Sequence, residues 1–441
     1  MVKTQSSSSR RRQLLLLSIL AALLCCFILL GGFSRLTNQW TVSAISRGDH
    51  QAAHYWVQFT DKFAPGDGQH HFLAARLARQ AGDLTAMSEQ LSKAQRLGFD
   101  EQRIALERQL SIAQYGRLAD VEAEVSRALA GGADDLAEIS DAYANGLARD
   151  SRFAAALEIL NAWRLDRPQD ATPRYRIARI EEYLNRLDDA KVSYRAAIER
   201  RPQYFPAMYN LARLLLDDNQ VDEAAELFRQ CLPMPHPAAA QVGLAMSLAR
   251  LGETQPAEQL LREVIALPAE EVRLAYASVD EPMERFVAAA ELGKLLASQG
   301  RFEAALEYLD LALEQNPRDM AARYSRAITL RGLKRNSEAQ AEMDIVDKTK
   351  AAMQQVNTLR NQINRYPDDI DARLRLGEIL IEYESERSGL FWLRSALVDG
   401  KDNADVHRAL ADYYESHAHG SVEYTQLARE HRQRQQELSS K

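Results

Sequence analysis

The sequence predicts an all-α solenoid of stacked helical hairpins, preceded by one transmembrane helix. Three observations carry this. Among 441 residues Gly and Pro number only 20 and 13 and aromatics make up 7%, while the strong helix formers Ala, Leu, Glu and Arg dominate. No stretch sustains the alternation of Val, Ile and Thr that a strand needs. A small-then-large apolar pattern returns at intervals of about 34 residues, which points to stacked units rather than one core.

The N-terminal part comes first. Residues 1–13 form a basic tail with Lys3, Arg10, Arg11 and Arg12 and no acid. Leu14 to Phe33 follow as 20 residues without a charge, enough to cross the roughly 30 Å hydrocarbon core. The Arg triplet before this run, with only Arg35 close behind, keeps the N-terminus cytoplasmic and sends the repeat region to the extracytoplasmic side. A cleaved signal peptide would have a shorter apolar core and a nearer small-x-small site; here Val42-Ser43-Ala44 lies well past the run. A lipoprotein signal would place a small residue before its Cys, but Leu24 precedes Cys25. The segment therefore reads as an uncleaved signal anchor, with Cys25 and Cys26 as lipid-facing packing. Cys231 stands alone, and three cysteines build neither a disulfide framework nor a zinc site.

Charge narrows the partners. Four of the 55 Lys and Arg lie in residues 1–34, so the rest of the chain sets 51 basic residues against 62 acidic, a net of −11. An acidic body lacks the basic face that nucleic-acid binding uses to release counterions, so no nucleic acid is expected.

The repeats follow. In the stretch ending at Pro202, Ala190, Tyr194, Ala197 and Pro202 set a small residue, a large one four later, a small one three later, then a helix-ending proline. Ala305, Leu309, Ala312 and Pro317 repeat it, as do Ala156, Leu160, Trp163 and Pro168. Ala224, Phe228 and Cys231 continue it, then Ala257 with Leu261, Ala339 with Met343, and Leu376-Gly377 with Leu393 and Ala396. Upstream, Gly48, Gly82 and Gly116 recur at a spacing of 34 where one helix hands over to the next, and Ala53, Val57 and Pro65 mark a copy directly behind the apolar run.

This spacing and these residue types resemble the tetratricopeptide repeat. About eleven copies start near Ser34, Gly68, Gln102, Ala137, Ala171, Phe205, Ala238, Phe286, Met320, Ile370 and Ala404. The resemblance implies a right-handed superhelix of hairpins whose small residues (Ala178, Ala212, Ala245 and Gly293 on the first helices) allow close approach. It divides the chain into divergent repeats over 34–136, central repeats over 137–350, a long helix or linker over 351–369, and C-terminal repeats with a cap over 370–441. Glu181 and Arg326 stand where the family has large apolar residues, so those copies should pack less tightly. Residues 272–285 interrupt the period and should lengthen or kink a helix, limited by Pro282. Val346, Met353, Val356, Leu359 and Ile363 at helical spacing predict one long helix from about Ser337 to Arg365.

Catalytic signatures are missing: the sequence has no G-x-S-x-G, P-loop or G-x-G-x-x-G, and no Cys near a His. It predicts no enzyme activity, cofactor, metal or small-molecule substrate. His50 and His54 have the i, i+4 spacing of metal ligands but no third partner, so they read as solvated or packing residues. His70-His71 and His417-Ala418-His419 fall in turns. Trp163 and Trp392 read as structural, and Trp40 and Trp56 also suit a bilayer interface.

The inner face lined by first helices is the candidate site. The repeat register places Tyr175 and Arg179 there one turn apart, Tyr209 and Arg213 at the same slots one copy later, Tyr324 in a later copy, and Asn145 and Asn210 nearby. Tyr and Arg are enriched at interaction hot spots, so the row would bind an extended or helical partner segment. The alternative is that the tyrosines fill helix–helix gaps and the arginines solvate the rim. The Lys and Asn carboxylate clamp of some tetratricopeptide proteins is not matched, and neither is an asparagine ladder. The sequence thus predicts a membrane-tethered protein-interaction scaffold, or an accessory subunit of a secretion, pilus or surface-glycan assembly machine of the cell envelope.

Overall fold

The computed structural model describes residues 32–46, 50–64, 66–115, 118–131, 135–150, 152–281, 287–366, 368–418 and 421–440. All of the apolar run except Gly32 and Phe33 lies outside them, as do Gly48, Pro65, Gly116, Pro282 and Phe286. No helix of the described residues is long and apolar enough to cross a membrane.

Among the described residues the chain forms 23 α-helices, twenty of which pair in sequence into ten hairpins. The first hairpins are α1 (Gly32–Ser46) with α2 (His50–Phe63), and α3 (Gly68–Gln80) with α4 (Leu84–Arg96). Next comes α5 (Glu101–Tyr115) with α6 (Glu122–Ala130), followed in the chain by α7 (Leu136–Arg149) and α8 (Phe153–Asp166). The central ones are α9 (Thr172–Tyr183) with α10 (Leu187–Arg200), α11 (Phe205–Asp217) with α12 (Val221–Cys231), and α13 (Ala238–Arg250) with α14 (Thr254–Ile265). After the extra helix α15 (Ala269–Ala277) come α16 (Ala288–Ser298) with α17 (Phe302–Gln315), and α18 (Met320–Gly332) with α19 (Asn336–Arg365). The last are α20 (Ile370–Tyr383) with α21 (Glu386–Asp399), and α22 (Ala404–Ser416) with α23 (Val422–Ser439).

Two compact units divide between Gly146 and Leu147, inside α7, rather than at 136/137, and residues 370–441 belong to the same unit as the central repeats. In the second unit the small-large register is the core. Ala190, Ala224, Ala257, Ala305 and Ala339 have no exposed surface, and Tyr194, Phe228, Leu261 and Leu309 beside them are buried. A Cβ on Gly243 would meet the Phe228 ring at 2.4 Å, and one on Gly389 would meet the backbone of Gly377 and Ile381 at 2.6 Å, so these helices touch where only glycine fits.

The turns inside the hairpins are as periodic as the core. Asn185, Asn219, Gly252, Gly300 and Lys334 all adopt positive φ, from 57° to 85°, just after the first helix of their hairpins. At each, two amides fold back on the helix end: Asn185 N donates to Glu182 O and Arg186 N to Glu181 O, and Lys334 N donates to Arg331 O and Arg335 N to Leu330 O. This left-handed cap satisfies carbonyls the helix would leave orphaned. At helix starts, Asp83, Asp319 and Asp369 accept from backbone amides of Ala86, Ala322 and Ala372 at 2.9 Å.

Pro268 corrects the expectation for the first interruption. Rather than lengthening or kinking α14, residues after Pro268 start the separate helix α15, because proline brings no amide to continue the preceding ladder. The second interruption is the 30-residue α19, whose Val356 and Ile363 pack with Leu376, Leu380 and Trp392 of the following hairpin. Arg326 is accommodated by ion pairs to Asp310 at 2.6 Å and Glu342 at 2.8 Å. Glu181 is half-buried, and burial raises its pKa. Still within this unit, Phe391 of α21 lies 5.3 Å from the Phe153 ring and stacks 5.0 Å from Tyr183, which joins the start of the stack to its far part.

The first unit is held partly by charge. Arg76 and Arg79 of α3 grip the wholly buried Glu107 of α5, at 3.1 and 2.6 Å, and reach Asp135 and Glu138. Burial alone would raise the Glu107 carboxyl; the two guanidiniums hold it below the usual carboxylate range.

Candidate functional site

The first helices of three successive hairpins, α9, α11 and α13, form the floor of the candidate site. Tyr175 and Arg179 lie one turn apart on α9, and Tyr209, Asn210 and Arg213 occupy the matching stretch of α11. Helix α15 packs on α13, and the turn that follows it, Val279-Asp280-Glu281, reaches α11 and α9. The interruption in the repeat period therefore folds back over the row.

The contacts of that tripeptide are specific. The side-chain amide of Asn210 donates to Val279 O at 2.9 Å. Arg179 Nη2 donates to Asp280 O at 2.9 Å, and Arg179 Nη1 to Glu281 Oε1 at 2.7 Å. The Tyr175 hydroxyl donates to Asp280 Oδ2 at 2.8 Å, and Arg176 reaches the same oxygen at 3.3 Å. Arg213 adds a longer ion pair to Glu281 at 3.7 Å. Main-chain carbonyls and carboxylates are thus read together, the combination by which a groove recognises extended backbone and its side chains.

A second layer fixes the readers. Asn210 Oδ1 accepts from Arg179 at 3.0 Å while its amide also donates to Pro206 O at 2.9 Å, so the carboxamide has one orientation. Glu182 accepts from Arg213 and from the Tyr194 hydroxyl, and lies 3.3 Å from Arg179. Burial pushes the Glu182 carboxyl up, but Arg213 and Arg179 outweigh it and hold the group ionised, below the ordinary carboxylate range. Burial likewise opposes the charge of Arg179, yet the tyrosine hydroxyls and the Glu281 and Glu182 carboxylates raise its pKa, so it stays charged. The Tyr175 hydroxyl is pushed well up by burial and then by Asp280, so it remains a donor.

The six residues singled out in the sequence separate into three groups. Tyr175, Arg179, Asn210 and Arg213 converge on the 279–281 turn. Tyr209 is fully buried with its ring 5.5 Å from Phe228, so it fills a helix–helix gap. The expectation of an open contact row is corrected for four of these: Tyr175, Tyr209, Asn210 and Arg213 are at most 1% exposed, because neighbouring helices and, for all but Tyr209, the 279–281 turn pack against them. Tyr324 on α18 keeps 49% of its surface exposed and does not take part. Sequence reasoning missed Glu182, Asp280 and Glu281. An acidic pair inside an interruption, opposite arginines repeated at a spacing of 34, was the available signal.

For metals, the side chain of His50 lies outside the described residues and His54 is exposed. Asp61, His70 and His71 each bring a ligand atom within 4.8 Å of the others. His70 Nε2 faces Asp61 at 3.4 Å, and His71 Nδ1 is bonded to Gln90 Oε1 at 2.8 Å.

Residues 175–234 and 290–349 match the family model described as tetratricopeptide repeat. Over these two stretches the chain is similar to tetratricopeptide repeats. The first matched stretch holds the whole α9–α11 row. Solved structures similar to the chain include YrrB, a TPR protein with an unusual peptide-binding site, at 17% identity, covering 57% of this chain and 96% of that one with a TM-score of 0.30. PilF of Pseudomonas aeruginosa is 15% identical, covers 55% of this chain and 97% of its own, and has a TM-score of 0.37. The human IFIT1 dimer with PPP-AAAA is 15% identical over 87% of this chain and 93% of its own, with a TM-score of 0.39. No curated protein sequence matches the chain.

Proposed function

We propose that this chain is a membrane-tethered scaffold that holds other proteins on the first-helix face of its tetratricopeptide repeats. One observation carries the reading: the α9–α11 face grips the turn 279–281 through main-chain carbonyls and carboxylates, so it has the equipment to hold a peptide segment. The net charge of −11 outside residues 1–34 favours a protein partner over a polyanion.

The tether is the apolar run of residues 14–33, with the N-terminus in the cytoplasm and the repeats on the other side. Its support is the sequence and the aromatic cluster that follows it directly. Trp40 and Trp56 lie 4.5 Å apart, and Phe59 meets Phe33 at 5.7 Å and Phe63 at 4.9 Å. Trp40, Tyr55 and Phe63 stay exposed, as aromatic residues at a membrane–water interface do.

Two measurements on the full chain in native membranes test this. A photo-reactive residue at the exposed position Tyr324 should give a discrete cross-linked protein band, and the same residue at exposed Leu165 should not. Resistance to carbonate extraction, with residues 35–441 digested only by protease added from the extracytoplasmic side, is expected for the tether. Equal cross-linking at both positions overturns the scaffold; extraction by carbonate overturns the tether. The narrower reading, an accessory subunit of an envelope secretion, pilus or glycan-assembly machine, requires the cross-linked band to be a component of such a machine.

A further inference from the structure

We infer that Val279-Asp280-Glu281 is an internal stand-in for an acidic partner segment, and that a partner carrying two consecutive acidic residues displaces it from the α9–α11 face. The inference rests on the scaffold reading above and names the partner's chemistry.

The tripeptide is bound as a ligand is bound. Its contacts come from two helices whose residues lie 68 to 105 positions away in sequence, and each of its three residues is read by a different donor set. Val279 offers its carbonyl to Asn210 and buries its side chain in the core. Asp280 offers its carbonyl to Arg179 and its carboxylate to Tyr175 and Arg176. Glu281 offers its carboxylate to Arg179 and Arg213. Beyond the packed Val279 side chain, the other two residues set acids against three arginines.

The turn is the left-handed cap of α15: Asp280 has a φ of +59°, and the amides of Asp280 and Glu281 turn back onto Ala277 O and Tyr276 O, as the hairpin caps do. The Asp280 carboxylate remains half-exposed and the Arg176 side chain a quarter exposed, so this end of the site meets solvent, where an entering chain can begin the exchange. The donors favour an acidic occupant: without a carboxylate at 281, Arg179 and Arg213 share Glu182, with Asn210 and, 3.9 Å from Arg213, Asp217 as their other partners. A neutral segment leaves the two guanidiniums with less opposing charge, and a basic one repels them.

The test uses the detergent-solubilised full chain and a labelled peptide, acetyl-Tyr-Ala-Ser-Val-Asp-Glu-amide, with its Asn-Gln analogue as control. The double variant Asp280→Ala, Glu281→Ala should bind the acidic peptide at least tenfold more tightly than the wild-type chain does. It should prefer the acidic peptide to the analogue by a similar factor, and adding Asn210→Ala should remove most of the gain. Equal affinity of wild type and variant, or of the two peptides, overturns the inference. Should the double variant lose helical circular dichroism, the wild-type chain decides: saturating acidic peptide should speed hydrogen exchange of amides 279–281, and unchanged exchange overturns the inference. A cross-linked partner at Tyr324 that persists while these binding tests fail leaves the scaffold standing and removes only the acidic-segment claim.

Discussion

The side-chain amide of Asn210 donates to the main-chain carbonyl of Val279 at 2.9 Å, joining residues 69 positions apart in the chain. That bond is the anchor of the turn over α9 and α11. Asn210→Ala removes it, leaves the buried Val279 carbonyl and Arg179 short of a partner, and should cost about 1–3 kcal/mol. Urea unfolding reads the loss, and hydrogen exchange at amides 279–281 should quicken more than at α17. Uniform quickening across the unit would contradict an anchoring role.

Ala190 has no exposed surface and faces Tyr194 one turn on. Ala190→Leu should overpack the α9–α10 hairpin by about 1–3 kcal/mol. A thermal melt identical to wild type would show the register to be wrong.

Lys334 sits at φ +61° in the turn where equivalent hairpins place Asn or Gly. Lys334→Gly removes the Cβ penalty of that left-handed cap and should stabilise by about 0.5–1 kcal/mol, with activity of the groove untouched. Gly300→Ala at the neighbouring cap, φ +75°, should destabilise by a similar amount. Paired melts of the two variants check the opposite signs.

Glu107 is wholly buried between Arg76 and Arg79. Glu107→Gln leaves two buried cations facing a neutral amide and should cost about 3–5 kcal/mol in the first unit. Limited proteolysis should cut residues 68–130 faster while the second unit stays resistant.

The C-terminal helix α23 carries a pH response. His431 Nδ1 lies 2.9 Å from His407 Nδ1, and the Tyr414 ring stacks on His431. Burial, and then the neighbouring His407, lower the His431 pKa to about 4, with Arg394 adding to this and Glu430 opposing it. The unfolded chain binds this proton near pH 6.5, so between about pH 6.5 and 4 the unfolded state takes up a proton that the folded state refuses. Stability is therefore full above pH 6.5 and falls as pH drops toward 4, by on the order of 2 kcal/mol for a partly solvated ring. Urea midpoints at pH 7.5 and 4.5 measure it, and His431→Gln should flatten the difference.

The helices, their pairing and the Ala–large register were legible because each hairpin's packing depends on residues three and four apart, which sequence displays directly. The turn positions were legible in part: Gly82 announced its left-handed cap, but Lys334 did not, since only a finished helix end forces a lysine to positive φ. The row Tyr175, Arg179, Asn210 and Arg213 could be named from a spacing of 34, yet its covering could not. Whether Asp280 and Glu281 meet those arginines depends on where α15 lands after Pro268, a placement set by packing on α13 rather than by any local pattern. Sequence by itself determined the repeat and the donors that face inward; tertiary structure decided what they hold, because a contact across 68 to 105 residues has no period to betray it.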